Sequence, residues 1–305
     1  MRSLVLLILL FGATIAISVY GIHAINQSIQ QESLEKQVES ALWHAQEAID
    51  SQKREALAFS LFLSRSPSVK EAYKQHDRAA VQRALEAYFD DAVLAGNYQT
   101  MEVQFHTQTL HAWVRSWDKD SYGMPLSEFR KGLVYVKESL KPHVSIELGK
   151  RLNIKAIAPI VLEGEFAGSV EVIVGFDTLS VALMHKGIEL MVLLDKAYLE
   201  IAEWESSKHR IGDFVLISDT CPCEVTLEAF ARTRAFSQGF LEDGQRVYGF
   251  LPLFNVDATP LGFLGVALNK YELHKGNFAL VRSSGTGVLP VAPLLEGQMP
   301  QVKIQ

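Results

Sequence analysis

Nineteen consecutive residues near the N-terminus, Leu4 to Ile22 (LVLLILLFGATIAISVYGI), carry no charged side chain. At a helical rise of about 1.5 Å per residue, a stretch of that length reaches across a bilayer core of about 30 Å. A buried helix of a soluble protein is the competing reading, and uninterrupted apolarity at an N-terminus disfavours it. Arg2 precedes the stretch and the first charge after it is Glu32. The positive-inside rule then keeps the N-terminus in the cytoplasm and exports the chain from about residue 25 onward. A cleaved signal peptide stays open, since Ile22-His23-Ala24 resembles a cleavage site. The apolar run is longer than the usual h-region of about 7–15 residues, which favours an uncleaved anchor. Later apolar runs, Ala156 to Val161 and Val170 to Phe176, are short and β-branched and read as strands. The expectation is an inner-membrane, single-pass protein whose body lies in the periplasm, with residues 1–24 as anchor or signal segment.

The 305 residues suffice for one large domain or two modest ones, and 21% charged with 10% aromatic residues is the balance of a folded body. A net charge of −6 without a basic block argues against nucleic acid as a partner. Two cysteines rule out a disulfide scaffold and a four-cysteine zinc site. Glycine and proline are absent from Ile25 to Ser66, and Leu34, Val38, Ala41, Ala45, Ala48 and Ile49 recur three or four apart. That pattern predicts a long stalk helix over 25–66. Its stripe Ala41, Ala45 and Ala48 allows two copies to pair as a homodimer; packing on its own domain is the alternative. Ser66-Pro67 and Asp77 mark further helix starts, the second running to Leu94.

From Met101 the period becomes two. Met101, Val103 and Phe105 alternate with polar residues, and a second strand over Leu110 to Trp117 places Trp113, Arg115 and Trp117 on one face. A polar-aromatic loop, Asp118 to Pro125, leads to a helix opening at Ser127 and Glu128. Strands return at His143–Leu148, Asn153–Val161 and Phe166–Val174, the last two joined by a Glu163-Gly164 turn. A second round follows: a strand Ile188–Leu194, a helix Lys196–Ser206, and strands Phe214–Ile217, Arg246–Leu253 and Leu261–Leu268. Beyond Tyr271, glycine and proline break every pattern, and residues 276–305 are expected to be disordered. The fold class expected is α+β, with two tandem modules of antiparallel sheet, 67–186 and 187–275, on one long helix.

The segment MEVQFHTQTLHAWVRSWDKDSYGMPLSEFR resembles the first-module signature of the double Cache (dCache) sensor domains found on bacterial chemoreceptors, sensor kinases and diguanylate cyclases. SIELGKRLNIKAIAPIVLEGEFAGSVEV is similar to that family's Glu-x-Gly, Ala-Pro-Ile and Gly-Ser-x-Glu landmarks, and PLFNVDATPLGFLGVAL to its closing hairpin. The resemblance covers roughly residues 28–272. It implies two PAS-like modules, the membrane-distal one holding a small ligand, and a second transmembrane helix leading to a cytoplasmic output region. The chain departs from that plan in showing neither second span nor output domain. It also has Lys155 where relatives often place arginine, and Met124 where an acidic residue is common.

Arg115 between Trp113 and Trp117 is the sharpest constellation, since a guanidinium grips a carboxylate bidentately and flanking indoles exclude water. Arg130 and Tyr122 complete the expected ligand set, giving Trp113, Arg115, Trp117, Tyr122 and Arg130. The alternative pairs Arg115 with Glu128 or Asp120 over a tryptophan-lined core. His106 and His111 near a hairpin are two potential metal ligands, but a metal requires three or four, and a partly buried, satisfied histidine is the better reading. Cys221-Pro222-Cys223 lacks a haem signature, and a disulfide across one residue is strained, so free or intermolecularly bonded thiols are expected. No GxSxG, HExxH or Walker motif occurs. No enzyme, cofactor or resident metal is therefore expected. The function expected is a periplasmic ligand-binding sensor without its own output domain, responding to a small anionic metabolite and contacting a separate signalling protein. A periplasmic solute-binding or scaffold component, or the remnant of a truncated receptor, kinase or cyclase, is the alternative.

Overall fold

The computed structural model describes the backbone of residues 2–94, 101–206, 209–218, 224–233 and 235–274, and the side chains of all of these except 2–9, 89–94, 204, 224–226 and 274. One helix, α1 (Arg2–Arg65), runs unbroken to the Ser66-Pro67 boundary, where proline cannot continue its hydrogen bonding. α2 (Pro67–Lys74) and α3 (Arg78–Leu94) follow, and Asp77 caps α3 by accepting from the Ala80 N–H at 2.9 Å. Ser66 does not cap α2; its hydroxyl is engaged with Tyr88 at 2.7 Å instead.

The first sheet is formed by β1 (Met101–Thr107), β2 (Ala112–Arg115), β3 (His143–Glu147), β4 (Asn153–Leu162) and β5 (Glu165–Val174), ordered β2-β1-β5-β4-β3. The second contains β6 (Glu189–Asp195), β7 (Arg210–Ile211), β8 (Phe214–Leu216), β9 (Phe240–Glu242), β10 (Arg246–Phe254) and β11 (Pro260–Asn269), ordered β7-β8-β6-β11-β10-β9. All neighbours are antiparallel. Helices α4 (Lys131–Ser139) and α5 (Asp177–Met184) belong to the first half, α6 (Glu224–Arg232) and α7 (Lys270–His274) to the second. The expected α+β class with a long N-terminal helix and two antiparallel sheets is what the chain adopts. β4 and β5 meet at Glu163 (φ 53°) and Gly164 (φ 91°), the two positive values that a two-residue hairpin requires.

One apolar core runs through both halves. Val38, Ala41, Ala45 and Ile49 of α1 are buried in it together with Val103, Ile154 and Val172 of the first sheet and Leu190 and Val266 of the second. The alanine stripe expected to pair two copies is therefore occupied: Ala41 and Ala45 are fully buried within this chain and Ala48 packs against the same core. Small residues serve there because sheet and helix approach closely. Nearer the N-terminus the helix changes character, and Leu10, Phe11, Ile17 and Tyr20 are 59% to 75% exposed. Among the described residues no helix is long and apolar enough to cross a membrane, and the side chains of 2–9 lie outside that description.

Two expected elements differ. The helix opening at Ser127 begins only at Lys131, because Phe129 and Arg130 both turn back to the Leu126 carbonyl and Arg130 takes a non-helical conformation. The helix over 196–206 is two short 3-10 turns, Lys196–Tyr198 and Glu203–Glu205, with the chain between them turning to bury Ala202. The two cysteines, residues 95–100 with Gly96-Asn97, and the C-terminal tail from 275 onward lie outside the described residues.

Candidate functional site

Register fixes which side chains share a sheet face, since residues directly opposite on paired strands project to the same side. Gln104 pairs with Arg115 on one flank and Glu171 on the other. Two residues along β1 from Gln104, His106 pairs with Ser169. Lys155 pairs with Ser145 in β3 and with Ile173 in β5, two residues from Glu171. Thus Arg115, Gln104, His106, Glu171, Ser169, Lys155 and Ser145 occupy one face, while Val103, Phe105, Val170 and Val172 occupy the other and join the main core.

This face is covered by residues 116–130 and α4. The Ala112 N–H donates to the Met124 carbonyl and the Leu126 N–H to the Leu110 carbonyl, tying the segment across β2. Leu110, Leu126, Leu133, Val136 and Ile157 form a separate apolar cluster beneath it. Beside that cluster Gln104, His106, Arg130, Ser145, Glu147, Lys155, Ser169 and Glu171 are all buried. Buried polar groups are costly unless paired, so this concentration is the candidate site among the described residues.

Arg130 is the hub. It forms a bidentate ion pair with Glu171, donating Nη1 to Oε2 at 3.2 Å and Nη2 to Oε1, and Nη2 reaches Glu147 Oε2 at 3.4 Å. Glu147 also accepts from the Gly132 N–H at 3.0 Å, fixing the start of α4. Although burial opposes its charge, the two carboxylates hold the Arg130 pKa above the ordinary value. His106 shares a 3.0 Å hydrogen bond between Nδ1 and Ser169 Oγ, and its Nε2 lies 3.6 Å from Glu171 Oε2. Burial, with Arg130 nearby, pushes its pKa well below the ordinary imidazole value, so it is neutral near pH 7. Lys155, fully enclosed, donates to the Arg151 carbonyl at 3.3 Å, and burial next to Arg130 lowers its pKa to about 7.

Arg115 stands at the margin of this cluster. It donates Nη1 to Ser121 Oγ at 3.0 Å and Nη2 to Met124 Sδ at 3.5 Å, and it lies over the Trp117 ring at 5.8 Å. Partial burial lowers its pKa from the ordinary arginine value. The expected set is therefore only partly brought together. Arg115 and Trp117 meet, and Arg130 lies in the same cluster with both Nη atoms committed to carboxylates. Trp113 does not share their face: the register shifts between Phe105 and His106, leaving Trp113 as the extra residue of a bulge. Its ring packs edge-on against Tyr73 at 4.7 Å, beside the main core. Tyr122 is 64% exposed beneath the Arg78 guanidinium at 4.5 Å, away from the buried groups. His111 engages Thr109 rather than His106, and no group of potential metal ligands occurs among the described residues.

The expected ligand set leaves out Gln104, Glu147, Lys155, Ser169 and Glu171, although Lys155 is noted as a departure from relatives and the Glu-x-Gly and Gly-Ser-x-Glu landmarks contain Glu147, Ser169 and Glu171. The signal lay in polar side chains recurring at period two within strands that are otherwise apolar, as in Gln104/His106 and Ser169/Glu171.

The chain matches the dCache_3 family, described as "Double sensory domain of two-component sensor kinase", over residues 31–219. Among solved structures, the V. cholerae histidine kinase DctB sensor domain is similar at 14% identity, covering 78% of this chain and 98% of that one, with a TM-score of 0.49. The sensory domain of the Campylobacter jejuni chemoreceptor Tlp3 aligns at 12% identity over 81% and 98%, TM-score 0.48. The ligand-binding domain of the Pseudomonas fluorescens chemoreceptor CtaA, solved with L-serine, aligns at 14% identity over 79% and 97%, TM-score 0.44. No curated protein matches the chain. Since the family match takes in the whole first sheet, the buried polar face and the start of the second sheet, the chain belongs to the dCache_3 double sensory domains.

Proposed function

We propose that this dCache domain senses a small carboxylate-bearing metabolite, bound against Arg115 beneath residues 116–130, and that its N-terminal helix holds it on the periplasmic side of the inner membrane. The carrying observation is Arg115. It is a partly buried guanidinium with no ion-pair partner among the described residues, hydrogen-bonded only to a hydroxyl and a thioether. Glu128 and Asp120, the structural partners considered for it, make no ion pair with it. Asp118 acts on its charge only electrostatically. A guanidinium withdrawn from water in this way is stabilised by a carboxylate, which takes two parallel N–H bonds from its planar fork. The Trp117 ring lies against one side of it, its centroid 5.8 Å from the guanidinium carbon. The exposed apolar side chains of α1 from Leu10 to Ile29 support the membrane part of the reading, because such a surface is covered by lipid or protein rather than left in water.

The test is a thermal-shift and calorimetric titration of the detergent-solubilised full chain with lactate, malate and 2-oxoglutarate, in wild type, Arg115→Ala and Arg115→Lys. At least one acid stabilises the wild type. Loss of charge-assisted hydrogen bonds worth about 1.5–3 kcal/mol lowers its affinity for Arg115→Ala about ten- to a hundredfold. Lysine recovers only part, since an ammonium lacks the fork. Equal affinities in the three proteins would remove Arg115 from the site.

A further inference from the structure

Between β2 and α4 the chain is tied to the first sheet at two points and left to side chains in between. At the first, the Ser116 N–H donates to the Val103 carbonyl at 2.9 Å and its hydroxyl accepts from the Val103 N–H at 3.0 Å. At the second, the Gly123 N–H donates to the Ala112 carbonyl at 2.7 Å, and the Ala112 N–H to the Met124 carbonyl at 2.9 Å. Gly123 has a φ of 82°, a reversal that glycine adopts readily. Residues 117–122, between these ties, make no backbone–backbone hydrogen bond to the sheet among the described residues. Asp118 accepts from the N–H groups of Asp120 and Ser121, so the segment turns on itself as a small unit.

Two side chains of α3 hold this unit. Arg78, half-buried, donates Nε to the Trp113 carbonyl at 2.7 Å and Nη2 to the Lys119 carbonyl, and its guanidinium lies 4.5 Å from the Tyr122 ring centroid. One arginine thereby joins β2 to the middle of 117–122. Glu86 adds an ion pair to Lys119 at 2.6 Å, exposed and therefore weak. On its inner side the unit meets Arg115. Ser121 Oγ accepts from Nη1 at 3.0 Å, and Met124 Sδ, at the second tie, from Nη2 at 3.5 Å. Both arms of the guanidinium fork are thus filled by neutral groups of the chain itself. A carboxylate takes both arms, and its charge-assisted bonds are stronger than those to a hydroxyl or a thioether. The Met124 side chain is long and flexible enough to turn aside, whereas clearing the Ser121 side lifts 117–122 off Arg115. We propose that 117–122 is a flap that closes Arg115 with its own Ser121 hydroxyl and hinges at Ser116 and Gly123, and that Arg78 is the latch by which α3 controls access of the carboxylate. This regulation rests on the carboxylate reading of Arg115 and goes beyond it by naming what opens the site. Because the acid binds only under an open flap, its apparent affinity scales with the open fraction.

The flap is tested first without any acid. Lys119 lies in it, so a lysine-specific protease reports its opening through cleavage after Lys119, with cleavage after exposed Lys186, just beyond α5, as the reference. In the detergent-solubilised full chain, Arg78→Ala is expected to speed the first cleavage about tenfold and to leave the second unchanged. Unchanged cleavage after Lys119 overturns the latch. Equal acceleration at both lysines overturns it too, since it marks Arg78 as merely structural. Should Arg78→Ala not fold, Arg78→Lys, which keeps the charge but lacks the fork that spans both carbonyls, gives a several-fold acceleration or the same refutation. Titration with lactate, malate and 2-oxoglutarate then tests the competition at Arg115. An acid that binds the wild type is expected to bind Arg78→Ala and Ser121→Ala several-fold more tightly, and equal or weaker binding overturns the closure by Ser121. If no acid binds any of these proteins, the carboxylate reading fails, while the proteolysis still decides whether Arg78 latches the flap.

Discussion

Lys155 shows what one side chain contributes when its surroundings are fixed by others. It is enclosed with Arg130, Glu147, Glu171 and Arg151 acting on it, and burial dominates, taking its pKa from 10.5 down to about 7. The unfolded chain therefore holds a proton between about pH 7 and 10.5 that the native protein has released. Folding stability rises with pH through that window, by up to about 1.4 kcal/mol per pH unit from this group, and is flat in it below pH 7, where both states are protonated. Lys155→Met removes the penalty while keeping the stem's packing. The variant is expected to exceed the wild type in denaturant-unfolding stability near pH 7, with the difference shrinking toward pH 10; curves that stay parallel across this range would contradict the buried-amine account. The position was visible in the sequence as a lysine where relatives often carry arginine. Its burial was not, because a lone lysine in a strand reads as solvent-facing until the register puts it opposite Ser145 and Ile173. The same holds for Arg130, which reads as a second ligand charge until Glu147 and Glu171, seventeen and forty-one residues away, close on it.

Elements long enough to show their period were legible, and short ones were not. Ten-residue β4 and β5 and the stretch of α1 from Ile25 onward, which is free of glycine, repeat their pattern several times, so both type and approximate ends could be read. The two residues of β7 and three of β9 carry no period at all; they are strands because β8 and β10 supply their hydrogen-bonding partners. The bulge at Trp113 was equally hidden, for alternation along β2 says nothing about the pairing shift in β1 that displaces the tryptophan. How α1 meets the second sheet is set by the absence of a side chain. A Cβ on Gly249 of β10 would overlap Val38 Cγ1 and come within 2.8 Å of Leu42 Cδ1. Strand propensity alone would make Gly249→Val stabilising, whereas the close approach makes it destabilising by about 1–3 kcal/mol through overpacking. Urea unfolding followed by tryptophan fluorescence separates these, and an unchanged or raised midpoint would show that the helix does not seat on this strand.

The whole molecule is organised by a single helix that passes from one environment to another. Beyond Leu34 its apolar side chains turn into a core shared by both sheets, and Lys150 to Glu203 adds a 2.5 Å ion pair between the halves. Before that point its apolar side chains pack on little among the described residues: Phe11 is 69%, Ile17 71% and Ile25 60% exposed. Leaving that N-terminal stretch in water is costly, since each exposed leucine or isoleucine forgoes about 1.5–3 kcal/mol of burial. On the membrane reading proposed above, lipid covers residues 4–22, and Arg2 with the uncharged run behind it sets the direction. The full chain is then expected to stay in the membrane pellet through alkaline carbonate. Ile15→Arg combined with Ile17→Arg should release it, because each arginine at the centre of a span costs about 2.5–3.5 kcal/mol. Alkaline phosphatase joined after His274 should be active, as the enzyme matures only outside the cytoplasm. An inactive fusion made at normal abundance would reverse the orientation. Extraction of the wild type by carbonate would instead mean that a protein partner, not lipid, covers the exposed face of α1.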